Sequence, residues 1–159
     1  MSLVPEPLRI PDFRAFWLAR LTTTIGQMAM VIVIGWQVYD IARDSGMSLK
    51  GASLQLGLIG VVQFVPLFAL TLVTGWTADR VDRRFVARAS IALEIFCAAV
   101  LGWLSWTGEM TLLALFVVAT LLGVARAFAM PALQALAPNL VPREVLPRAI
   151  AMSSIAWQS

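Results

Sequence analysis

Three charged side chains stand inside otherwise apolar stretches of the chain: Arg20, Glu94 and Arg126. Placing each in mid-membrane costs roughly 2.5 to 3.5 kcal/mol unless it is paired or faces water, so each marks a position where a partner or a cavity is needed. Arg20 lies only about two turns inside the start of its stretch, close enough for the guanidinium to snorkel back to the interface. Glu94 and Arg126 are deeper. Measured by helical rise from Phe85 and from Ala137, they sit about 14 and 16 Å from the same edge. At matched depth they can neutralise one another across a helix interface, or each can face a water-filled cavity separately. Three amides in the same apolar stretches, Gln27, Gln37 and Gln63, either line such a cavity or hydrogen-bond between helices.

Other chemistries are missing. There is no histidine, which removes imidazole proton relays and most zinc sites. Cys97 is the single cysteine and lies in an apolar stretch, so neither an internal disulfide nor a thiolate metal site can be built. Its expected role is that of a small core residue. No metal and no cofactor is implied. A membrane-embedded enzyme would need convergent His, Asp or Ser groups near an interface, and this pattern does not supply them. One further polar cluster is dense: Gly75, Asp79, Arg80, Asp82, Arg83 and Arg84 fall within ten residues. Gly75 lets two helices approach closely, and Asp79 can accept hydrogen bonds from a helix N-terminus. The arginines can donate to helix C-terminal carbonyls or to lipid phosphates. A plain basic anchor at a membrane edge is the simpler alternative.

The elements that must hold these groups are membrane helices. The chain is 60% hydrophobic and 13% charged, too apolar for a soluble domain. A hydrocarbon core of roughly 30 Å needs about 20 helical residues, and four apolar blocks reach that length. The expected all-α bundle has a tail over 1–12 and a transmembrane domain over 13–159. Its helices are expected at about 13–39, 54–75, 85–106 and 111–137, with a fifth opening at 148 and interrupted at Ser159. Asp40 to Ser53, with four charges and two glycines, reads as an aqueous loop. The start carries no basic n-region, so the first block is expected to stay as a membrane helix rather than be removed as a signal.

Basic residues set the orientation. Arg9, Arg14, Arg80, Arg83, Arg84, Arg88, Arg143 and Arg148 flank one side, whereas only Arg43 and Lys50 flank the other. By the positive-inside rule the amino terminus is expected in the cytoplasm. The net charge of +3 is therefore spent on topology, and without a basic patch interleaved with aromatics no nucleic-acid partner is expected. The expected partners are the lipid bilayer and a small-molecule substrate.

The string Gly75-Trp76-Thr77-Ala78-Asp79-Arg80-Val81-Asp82-Arg83-Arg84 resembles the G-x-x-x-D-R-x-x-R-R signature between the second and third helices of the major facilitator superfamily. Asp82 stands where that pattern usually has glycine. Phe13-Arg14-Ala15-Phe16-Trp17, Gly35-Trp36-Gln37-Val38-Tyr39-Asp40 and the run Pro131 to Pro142 are similar to the branch of that superfamily containing the bacterial exporter of the siderophore enterobactin. The resemblance implies twelve helices in two halves, each an inverted pair of three-helix repeats, rocking about a central site in the bacterial inner membrane. This chain would contribute the first repeat and the opening of the second, with a C-terminal half as its partner. Gly75, Asp79, Arg80, Arg83 and Arg84 would then latch the cytoplasmic ends of the two halves. Gly123-Val124-Ala125-Arg126 resembles the helix-4 arginine of proton-coupled exporters, which makes Arg126 a candidate for coupling. Efflux of a siderophore or amphipathic small molecule by proton exchange is the expected activity. A non-transporting sensor or scaffold on the same fold is the alternative.

Overall fold

The computed structural model describes residues 5–70, 73–74 and 81–136, together with 142, 145, 147, 149 and 151. A short 3-10 turn at Glu6–Arg9 leads into four long helices: α1 (Pro11–Asp44), α2 (Leu49–Ala69), α3 (Arg83–Thr107) and α4 (Leu112–Leu136). Each is long and apolar enough to cross a membrane, and the described residues contain no strand, as the hydropathy pattern requires. Gly75, Asp79 and Arg80 lie outside the described residues, as does the side chain of Arg83. So does most of the expected fifth helix.

The aqueous loop expected over Asp40 to Ser53 is much shorter than that. α1 continues through Asp44, and α2 begins at Leu49. With 34 residues α1 is about 51 Å long, well beyond the hydrocarbon thickness. Hydropathy therefore marks where the helix leaves the membrane, not where it ends. Its polar last turn closes on Gly46 at φ 82°, with Gly46 N donating to Arg43 O and Met47 N to Ala42 O. This paired arrangement satisfies carbonyls that the helix end would leave open, and it uses glycine because the backbone there is left-handed. The Ser48 hydroxyl then caps α2 by accepting from Gly51 N at 3.2 Å.

Asp82 caps α3 in the same way, its carboxylate accepting from Arg84 N at 2.9 Å. Its φ is −57°, so no left-handed residue is needed at this position. That explains how the chain tolerates an aspartate where the resembling signature has glycine.

α4 is the central helix. It packs most extensively against α3 and α2, while α1 leans mainly on α2. Small residues make this possible: Ala119, Gly123, Ala125, Ala129 and Ala132 are buried along α4. At Gly123 the approach is so close that an added Cβ would collide with the main-chain carbonyl of Gln63 on α2. Toward the far end of the bundle, Ile34, Val38, Ile59, Cys97, Leu101 and Leu115 form a continuous apolar core. Cys97 is fully buried there as a free thiol, which fits the core role expected of it. Large apolar side chains such as Ile32, Phe68 and Leu113 point outward, and Trp106, 90% exposed, sits in the last turn of α3. Such a surface is stable against lipid, not against water.

Candidate polar site between the helices

The apolar packing of α4 against α2 and α3 leaves the intramembrane polar groups gathered around α1. Glu94, only 4% exposed on α3, accepts a hydrogen bond from Gln27 Nε2 on α1 at 2.6 Å. The main-chain carbonyl of the same Gln27 faces a guanidinium nitrogen of Arg126 on α4 at 3.4 Å. The other terminal nitrogen of Arg126 approaches Gln63 Oε1 on α2, also at 3.4 Å. One chain of contacts, Glu94 to Gln27 to Arg126 to Gln63, thus touches all four membrane helices.

This geometry corrects the direct pairing considered for Glu94 and Arg126. Their helices are neighbours, yet no ion pair joins the two charges among the described residues. Glu94 is directed at α1, and Gln27 stands between it and the arginine. A neutral amide can serve both because its side chain donates while its backbone oxygen has a second lone pair to offer. The contacts are unequal. The carboxylate bond is short and charge-assisted, whereas those of Arg126 exceed the usual span of about 2.7 to 3.2 Å. Arg126 Nε is buried without a partner.

All three glutamines bond between helices. Gln37 Nε2 on α1 donates to Ser105 Oγ on α3 at 2.9 Å, a second tie between helices whose backbones pack only loosely. Gln27 in addition lines a cavity of about 310 Å³ between α1, α2 and α4. Arg20 and Arg126 face the same cavity, with Thr23, Thr24 and Met130. Arg20 is 8% exposed and lines both this cavity and a cleft at the end of the bundle where α1 begins. Its cavity-facing position follows from the helical spacing that puts it on the same side of α1 as Thr24 and Gln27, four and seven residues on.

Three features of the site had weak signals in the sequence. Thr22, Thr23 and Thr24 each donate back to the carbonyl four residues earlier, which lets hydroxyls sit within an apolar helix at little cost. The close contact of Gly123 with Gln63 holds α2 against α4 one turn from Arg126. At the end of the bundle where α1 begins, Arg84 and Arg88 border a smaller cleft that also includes Arg20. Of the dense loop cluster, only Asp82 and Arg84 can be placed by their side chains.

No group of His, Cys, Asp or Glu able to hold a metal occurs among the described residues. The cavity is bordered by cations, hydroxyls and the amide of Gln27, within a bundle of membrane-length helices. No curated protein and no solved structure matches the chain. A family model described as transmembrane secretion effector does match, over residues 4–158. With nearly its whole length covered, the chain belongs to that family of major-facilitator membrane transporters.

Proposed function

We propose that the chain is the first part of a secondary transporter that expels an amphipathic small molecule, a siderophore among the candidates, in exchange for protons. The observation that carries this reading is the Glu94–Gln27–Arg126–Gln63 network, which spans all four helices beside the 310 Å³ cavity. A carboxylate one amide away from a cavity-facing guanidinium provides a group that can change charge and a group that can sense the change. The Gly123–Arg126 string supports placing coupling at Arg126, and the family match supports export. In this reading the membrane is a bacterial inner membrane with the amino terminus in the cytoplasm, and alternating access exposes the cavity to each side in turn. Gly75, Asp79, Arg80, Arg83 and Arg84 act as the cytoplasmic latch, with Asp82 capping the following helix.

The test is transport by the full-length gene product in inside-out vesicles. Loss of a fluorescent amphipathic probe from the medium on acidifying the vesicle lumen, absent from vesicles without the protein, is the expected result. No gradient-dependent movement of any probe would leave the sensor or scaffold reading in its place.

A further inference from the structure

We infer that the cavity between α1, α2 and α4 selects organic anions: molecules with an apolar body and one acidic group held by Arg126. The inference rests on the transport reading of this cavity and adds the charge of its cargo.

The charge count around the cavity favours a negative guest. Among the described residues the guanidiniums of Arg20 and Arg126 border it and no acidic side chain does. The nearest carboxylate that bears on Arg126 is Glu94, and its short bond goes to Gln27 instead. Arg126 meets only neutral oxygens, both at 3.4 Å, and its buried Nε meets none. A guanidinium so weakly engaged in an apolar bundle keeps most of its capacity for a carboxylate, phosphate or sulfonate, which it can grip through two parallel bonds. One anion would give Arg126 a charged partner in place of the long contacts that now reach for amide oxygens.

The remaining wall fits the apolar part of such a molecule. Met28, Val31, Leu67 and Met130 line the same cavity as the cations, together with Thr23 and Thr24. Methionines adapt their shape to differing guests, so the wall discriminates little among apolar bodies. Selection therefore falls to the charged end. A cationic guest would meet the like charge of Arg126 in a medium of low dielectric.

The experiment uses three probes with one naphthyl body: 1-naphthalenesulfonate, 1-naphthalenemethanol and 1-naphthylmethylammonium. Binding to the detergent-solubilised full-length gene product is read as ligand-induced thermal stabilisation, and transport is read in inside-out vesicles. The expected result is stabilisation by the sulfonate at concentrations at least about tenfold lower than by the alcohol, with none by the ammonium. Arg126→Gln should erase the preference, and Arg126→Lys should retain part of it. Arg126→Met serves as a second variant in case Arg126→Gln fails to fold, and it too should erase the preference for the sulfonate. Equal binding of sulfonate and alcohol, or better binding of the ammonium, overturns the inference. So does an unchanged preference in a folded Arg126→Gln protein. Transport of the ammonium but not the sulfonate would sink this inference while sustaining the transport reading. Sulfonate binding with no transport of any probe would do the reverse.

Discussion

Gln27 donates its side-chain amide to Glu94 at 2.6 Å across the loosely packed interface of α1 and α3. This bond holds a carboxylate that is otherwise sealed in the bundle. Replacing Gln27 by Leu would leave Glu94 buried without its donor, a loss of about 1 to 3 kcal/mol. Thermal unfolding of the solubilised full-length protein should show it. A double variant carrying Gln27→Leu with Glu94→Leu should recover stability relative to the sum of the single losses, by about 0.5 to 3 kcal/mol. Strictly additive losses would mean that the bond contributes nothing.

Gly123→Ala should destabilise by roughly 1 to 3 kcal/mol, because its Cβ would press on the backbone of Gln63 and neither helix can yield without repacking. Gly102→Ala provides the control. A Cβ there meets nothing within 4 Å, so the same chemical change should leave unfolding unaltered. If the two variants behave alike, α2 and α4 do not approach as closely as described.

The two aspartates flanking the start of α3 should separate by phenotype. Asp82→Ala removes the cap on Arg84 N and should cost about 0.5 to 2 kcal/mol of stability. Asp79→Asn should instead leave insertion and stability intact while lowering transport, as a latch residue would. Normal transport by Asp79→Asn at normal expression would remove the latch assignment.

Orientation is open to reporter fusions. Junctions after Arg84 and Arg143 should report cytoplasm, and junctions near Ser48 and Gly108 the opposite side, because basic residues are so unevenly divided between the two faces. A reversed pattern would overturn the proposed direction of every helix.

The membrane helices were legible in the sequence because bilayer thickness imposes a length that few soluble elements share. Where they end was not. Asp40, Arg43 and Asp44 are polar enough to suggest a loop, yet a helix projecting into water tolerates them, and only the Gly46 turn marks the true end. That Glu94 and Arg126 lie well inside their helices was likewise readable, since helical rise depends on the backbone alone. Their partners were not, because the rotation of each helix about its axis depends on packing. That packing is set by features such as the bare Cα of Gly123, which places Gln63 against α4 and leaves Gln27 between the two charges. A glutamine's ability to serve one charge by side chain and the other by backbone has no signature in residue type.

The most direct test of the account is gradient-driven accumulation of an amphipathic probe by inside-out vesicles holding the full-length gene product, wild type against Glu94→Gln at matched protein level. The network reading predicts that an acidic lumen drives accumulation by the wild type. In Glu94→Gln, where the amide keeps a hydrogen-bonding group near Gln27 but cannot ionise, the rate should fall by at least about tenfold, equivalent to about 1.4 kcal/mol. Equal accumulation by the two proteins would contradict a coupling role for the Glu94–Gln27–Arg126 network.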